Sequence, residues 1–307
     1  VADLGVDRAA FSLVIALGLF LYGAFMPWVG SLADRFGPRV VTAAGALLLA
    51  ASLALVGFCQ NLWQLALIYG VLASVGLAAT GPVVANAVVS RWFNRRRGMA
   101  VSLLGSASMT GMSLLVPVVA WLIETYGWRA TYGIMGGAVL VGMLPLCLLV
   151  VRDTPESMGL GADGDALAPA ARRVAPVRTP AGEALRTVAF WQLAGSFFTC
   201  GFSMSLISSH GVPVLTDHGY TPIFASWIIG VLGVSSIVFT LGLGALADRY
   251  GARPVLGSIY AGRALVFAGL YLIRDNPYAI LAVAAVGGAT IAGSMSMTSM
   301  RTANIYG

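Results

Sequence analysis

Two ten-residue stretches of this chain carry the same charged residues at the same spacing. Gly30-Ser-Leu-Ala-Asp34-Arg35-Phe-Gly37-Pro-Arg39 and Gly244-Ala-Leu-Ala-Asp248-Arg249-Tyr-Gly251-Ala-Arg253 each join one apolar run to the next. Gly30 and Gly244 let two helices approach closely, and Gly37 and Gly251 let the chain reverse tightly. A carboxylate at position 34 or 248 is placed to meet the N-terminus of a neighbouring helix, or an arginine such as Arg39 or Arg253. That chemistry is a breakable contact between helices. The plainer alternative is a solvated turn whose charges only fix orientation.

Arg263 lies deep inside an apolar run, ten residues beyond Arg253, so about 15 Å further along a helix and near the middle of a bilayer. A cation there is costly and suits either an organic anion or pairing with backbone carbonyls. Hydroxyls gather on two other runs. One carries Ser203, Ser205, Ser208 and Ser209 before His210; the other carries Thr290, Ser294, Ser296, Thr298 and Ser299. Ser205, Ser209, Thr290 and Ser294 are candidates to bond a substrate, while hydrogen bonds that glue helices account for most of the others. His210 suits a proton relay or a carboxylate, against a structural bond to a carbonyl. Asn86 follows Gly81-Pro82, a kink that turns it into a cavity or leaves it capping a distorted turn.

The elements that position these residues follow from composition. Only 10% of the residues are charged, 58% are apolar, and the mean hydropathy is +0.87. A soluble domain carries about a quarter charged residues. The apolar residues come in runs of about 20 without period-two alternation, which predicts membrane-spanning helices and excludes a barrel. Nine helices can be drawn, at 9–30, 40–58, 62–89, 98–123, 131–151, 189–215, 222–246, 254–273 and 278–300. The cations are all arginine. Arg35, Arg39, Arg91, Arg95, Arg96, Arg97, Arg152 and the arginines of 172–186 fall on one set of loops with Arg249, Arg253 and Arg301. Only Arg8, Arg129 and Arg274 fall on the other. Positive-inside bias puts the rich side in the cytoplasm and His210 near the outer mouth. Arginines scattered over short loops give no nucleic-acid surface. The polar stretch 152–188, rich in Pro, Ala, Gly and Arg, reads as a cytoplasmic linker between an N-terminal bundle, 1–151, and a C-terminal bundle, 189–307. Cys59, Cys147 and Cys200 stand singly in apolar segments, as small buried side chains.

The repeated loop, in two matched halves, resembles that of the major facilitator superfamily. Arg91-Trp-Phe-Asn-Arg-Arg-Arg-Gly98-Met-Ala100, Gly127-Trp128-Arg129, Pro155-Glu-Ser-Met-Gly159 and His210-Gly-Val-Pro213 with Asp217-His-Gly219 resemble the branch of monocarboxylate transporters and oxalate/formate antiporters. The resemblance implies an all-α fold of two pseudo-symmetric bundles, with twelve helices in full length and alternating access to a central site. It makes Asp34 and Asp248, with Gly30, Arg35, Gly37, Arg39, Gly244, Arg249, Gly251 and Arg253, a latch between conformational states. Used as a ruler, the repeat suggests a chain lacking one helix before Val1 and two after Gly307. The expected function is secondary transport of a mono- or dicarboxylate, coupled to a proton or an exchanged anion, by a monomer in a bacterial plasma membrane. One departure is that the run 222–246 holds no charged residue where the branch places a basic one. The alternatives are efflux of a neutral or amphiphilic metabolite or drug, and a non-transporting sensor or inactive truncated product. No cofactor, metal site or enzymatic centre is expected: no phosphate-binding glycine loop, metal-spaced ligand set or nucleophile with a base is present.

Overall fold

Inside lipid a chain must satisfy its own backbone hydrogen bonds, and the apolar runs do so as helices throughout. The computed structural model describes residues 7–166, 181–217, 219–272 and 276–306. In chain order the α-helices are α1 (Arg8–Phe36), α2 (Pro38–Val56), α3 (Leu62–Leu65), α4 (Ser74–Ala79), α5 (Pro82–Trp92), α6 (Arg97–Ala138), α7 (Leu144–Leu149), α8 (Ala181–Ala184), α9 (Val188–Asp217), α10 (Pro222–Tyr250), α11 (Ala252–Leu272) and α12 (Pro277–Tyr306). Wider π-helical turns at Ala66–Ala73 and Val139–Met143 carry α3 into α4 and α6 into α7.

Among the described residues six segments are long and apolar enough to cross a membrane: Ala9–Phe36, Pro38–Val56, Leu62–Trp92, Trp121–Leu149, Gly230–Tyr250 and Pro277–Thr302. The molecule is an all-α polytopic membrane protein. Its outer faces agree, because Leu13, Phe20, Trp28, Phe198, Leu265 and Leu272 are 72–75% exposed, as suits helices set in an apolar surround. Trp63 and Tyr278 stand exposed in the first turns of α3 and α12, where an aromatic belt is expected. The gap predicted between 123 and 131 is narrower than the sequence suggests. A single residue, Gly127 (φ 76°, ψ 162°), leaves the helical conformation within α6. The Thr131 hydroxyl takes up its carbonyl at 2.8 Å.

The chain packs as two units, one of 1–92 with 113–166, the other of 93–112 with 167–307. In the first, α1, α2, α4 and α5 meet over Val29, Ala33, Val41, Ala78, Ala79 and Val84. A second core of Val14, Val56, Cys59 and Leu65 is covered by Trp128 and Tyr132. Close approach of α2 and α4 depends on missing side chains: a Cβ on Gly76 would lie 2.8 Å from the Leu49 amide. In the second unit, α10, α11 and α12 bury Ala247, Leu256, Ile259, Met297 and Met300. There α12 lies directly on α10, since a Cβ on Gly288 would overlap the Ser235 hydroxyl and the Leu232 carbonyl. The Ser236 hydroxyl donates to the Gly288 carbonyl at 2.7 Å. All three cysteines are buried and free.

Candidate functional site

The first repeated loop is a one-residue hinge. Gly37 adopts φ 88°, which a glycine reaches without strain, and its N–H still donates to Ala33 O at 3.1 Å. Pro38 then starts α2, as prolines do where an N–H has no helical partner. Asp34 meets a charge from α5: Arg91 Nη2 donates to Asp34 Oδ1 at 3.0 Å, with side chains 30% and 67% exposed. Arg39 does not take part. Its backbone N–H donates to Asp153 Oδ1 at 2.8 Å, and its Nη2 donates to Leu148 O at 2.5 Å. Asp153 thus supplies an acceptor for the first turn of α2, where helical N–H groups lack one. The same carboxylate closes over Gly37, where a Cβ would stand 2.8 Å from Asp153 Oδ1. The indole of Trp92 fastens the neighbouring chain, donating to Arg152 O at 3.2 Å.

The second loop repeats the hinge with a different partner. Gly251 has φ 89° and donates to Ala247 O at 2.8 Å. Arg249 lies 5.3 Å over the Tyr250 ring, as Arg35 lies 5.2 Å over Phe36. Asp248, however, sits on a helix end: Oδ1 accepts from the Gly98 N–H at 2.7 Å and Oδ2 from the Met99 N–H at 3.0 Å. Both amides belong to the first turn of α6, where a carboxylate completes the hydrogen bonding and complements the helix dipole. Approach this close needs glycine on both sides. A Cβ on Gly98 would lie 2.7 Å from Gly244 O, and one on Gly244 would lie 2.8 Å from Gly98 O. Burial pushes the Arg97 guanidinium down from its ordinary value, as expected of a cation losing water at this crossing. Arg253 stays exposed on α11.

Deeper in the second unit, Arg263 is 3% exposed, the only fully buried charged side chain among the described residues. Its Nη2 donates to the Thr290 carbonyl and to Ser294 Oγ at 2.9 Å, both on α12. The guanidinium lies 5.5 Å over the Tyr260 ring, and the Tyr260 hydroxyl donates to Ser196 O at 2.6 Å. Cys200 Sγ is 3.0 Å from Ser294 Oγ. Three predicted residues, Arg263, Thr290 and Ser294, are therefore one cluster clamping α11 to α12, and α9 contributes Cys200 and Ser196. Tyr260 escaped the sequence reading, and Cys200, read there as a small buried side chain, is buried; its place in this cluster carries no chemical signal in the sequence. Asn86 is half-buried on α5, in the first unit. The side chains of Ser205, Ser209 and His210 lie outside the described residues. Most other hydroxyls bond their own helix, as Ser203 does to Thr199 O and Thr298 to Ser294 O, the ordinary state of Ser and Thr in an apolar bundle. Among the described residues no three His, Cys, Asp or Glu side chains are grouped as a metal would need.

A family model described as Major Facilitator Superfamily matches residues 1–306. An uncharacterized MFS-type transporter of Bacillus subtilis, YcxA, is 29% identical over 255 residues, which are 82% of this chain and 59% of the relative. Monocarboxylate transporter 13 of Bos taurus is 27% identical over 94% of this chain and 65% of its own length. The oxalate:formate antiporter of Oxalobacter formigenes is 24% identical over 99% of this chain and 70% of its own. The chain thus spans 59–70% of the length of these relatives. Among solved structures, the proton:xylose symporter XylE bound to 6-bromo-6-deoxy-D-glucose matches with a TM-score of 0.67, over 98% of this chain and 74% of that one. At 15% identity that likeness is one of fold.

Proposed function

The chain belongs to the major facilitator superfamily, and from that premise we propose that the whole protein is a secondary carrier moving a small organic anion by alternating access. The observation that carries the reading is the unlike fastening of two like loops, Asp34 to Arg91 and Asp248 to the amides of Gly98 and Met99. Each is a polar contact at a helix end that can be broken without unpacking a core. A switch between two states requires such contacts. In this reading the motif residues from Gly30 to Arg39 and from Gly244 to Arg253 govern gating and leave substrate choice to other residues. The bundles are 1–151 and 189–307, the linker 152–188 lies in the cytoplasm, and the carrier sits as a monomer in a bacterial plasma membrane. It performs no catalysis.

An organic anion is favoured by the relatives named for monocarboxylate and for oxalate and formate, and by the buried cation Arg263. A substrate carboxylate would exchange with Ser294 and the Thr290 carbonyl for that guanidinium, with a proton or a second anion as the coupling species. The engagement of Arg263 with α12 also favours a second reading, in which Arg263 is purely a clamp and the cargo is a neutral or amphiphilic metabolite. Uptake by proteoliposomes holding the whole protein separates the two. Saturable accumulation of mono- or dicarboxylates, with kcat/KM lowered about tenfold or more in Arg263→Ala for want of one charge-assisted contact, is the expected result. Uptake that ignores carboxylates, or an Arg263→Ala variant that is less stable yet transports normally, overturns the anion reading. No uptake of any solute by folded protein would leave a sensor.

A further inference from the structure

The first unit contains a cavity of about 360 Å³ lined by Arg39, Arg152, Asp153, Ser157 and Met158. It lies where the first turn of α2, at the end of the first repeated loop, meets the chain leaving α7, and neither Asp34 nor Arg91 lines it. We propose that it binds a phosphate oxyanion, presented by the headgroup of an anionic phospholipid.

The electrostatics of the cavity favour an anion. Two arginines line it against one carboxylate, and that carboxylate already holds a backbone amide. Asp153 Oδ1 accepts from the Arg39 backbone N–H at 2.8 Å and lies over Gly37. Among the described residues no carboxylate lies within bridging distance of the Arg39 or Arg152 side chain. The Arg39 guanidinium is held by Nη2 donating to Leu148 O at 2.5 Å, and the Arg152 main chain by the Trp92 indole, which donates to its carbonyl at 3.2 Å. Two arginines lining one cavity suit a tetrahedral oxyanion, whose oxygens accept N–H groups from both. The volume is that of a site for a small organic molecule rather than a bare ion.

The surroundings point to lipid as the source of the phosphate. Val40, Leu149, Val150 and Met158 are large apolar side chains left exposed beside the two arginines in sequence. Apolar surface for acyl chains therefore adjoins cations for a headgroup, at the arginine-rich ends of membrane-spanning helices. Basic pockets in that position recognise anionic lipids. Occupancy would tie the start of α2 to the exit of α7 and so stiffen the turn at Gly37.

Titration of the whole protein in detergent with dioctanoyl phosphatidylglycerol, followed by native mass spectrometry, tests the assignment. Saturable binding is expected, weaker for dioctanoyl phosphatidylcholine. Arg152→Gln should weaken phosphatidylglycerol binding about fivefold, the effect of one surface cation on an anionic headgroup. Arg152→Lys should restore only part of it, since an ammonium lacks the planar fork, and Arg253→Gln, in the second loop, should leave phosphatidylglycerol binding unchanged. Phosphatidylglycerol binding equal in wild type and Arg152→Gln overturns the site. Inorganic phosphate binding as tightly as the lipid, with the same dependence on Arg152, overturns the lipid source in favour of a soluble anion. Should Arg152→Gln fail to fold, Arg39→Gln and the preference between the two lipids on wild-type protein decide in its place.

Discussion

Removing the Asp248 carboxylate should release two amides and little else. In the first turn of α6, Gly98 and Met99 have no helical acceptor, and their N–H groups point instead to Asp248 at 2.7 and 3.0 Å. Ala100 is different, since its N–H bonds Arg96 O at 3.0 Å. A capping side chain is worth about 0.5–2 kcal/mol, and hydrogen bonds to a charged acceptor reach about 1.5–3 kcal/mol each when buried. Gly98 is buried but Met99 is exposed, which brings the pair to about 2 kcal/mol, or roughly 30-fold in an opening equilibrium. Hydrogen exchange at single-amide resolution reads this directly. Gly98 and Met99 should be protected in the wild type and exchange about 30-fold faster in Asp248→Ala. Asp248→Asn, which keeps one acceptor and loses the charge, should fall between. Ala100 should hold its rate. Unchanged exchange at Gly98 and Met99, or acceleration that includes Ala100 to the same degree, would refute the capping assignment, the second by showing that the helix end itself had unfolded.

The two hinge glycines should respond unequally. Gly37→Ala and Gly251→Ala both force an alanine into a positive-φ, extended-ψ region open essentially to glycine, at about 1–3 kcal/mol, but only the first also pushes a methyl against Asp153, so its thermal midpoint should fall further. Gly288→Ala places a methyl on the α10 backbone and should cost about 3 kcal/mol, at the upper end of overpacking penalties, seen as a large loss of thermal midpoint in detergent. Asp34→Ala removes an ion pair that is 67% exposed on the acidic side. Its effect on stability should stay under about 1 kcal/mol and vanish in high salt, which thermal melts at two ionic strengths can check.

Helices and hinges were legible because they obey local rules. Twenty apolar residues in a row must become helix in lipid, and Gly37 and Gly251 are the residue type that positive φ selects. Partners were harder to read. Asp34 and Asp248 look alike in sequence, yet one meets Arg91, 57 residues on, and the other meets amides 149 and 150 residues back. The sequence offered each carboxylate a helix N-terminus or an arginine: Asp248 takes the helix N-terminus and Asp34 an arginine, though Arg91 rather than Arg39, and which helix or arginine is met depends on packing that the loop itself does not encode. Arg39 shows a second limit. Because α2 begins at Pro38, the amide of Arg39 needs an acceptor, and Asp153 provides it from a stretch read only as linker. For Arg263 the residue type established burial cost, and both an anion and backbone carbonyls satisfied it. The side chain in fact reaches Thr290 and Ser294, a choice fixed by how α11 and α12 are rotated about their axes. The π-helical turns at Ala66–Ala73 and Val139–Met143 carry no residue signal, being a matter of one extra residue per turn.

The seat of α12 on α10 bears on how such a protein changes over evolutionary time. At Gly288 the joint is made by main chain and by one hydroxyl, Ser236, that reads a carbonyl. A carbonyl is the same whatever residue carries it, so this joint is indifferent to nearly every substitution along either helix. At this joint three small positions, 235, 236 and 288, hold the geometry, and their exposed neighbours are free to drift. Substitutions near this joint can then accumulate one by one without dismantling the frame, and a library that randomises the neighbours of those three positions while sparing them should keep its folded fraction.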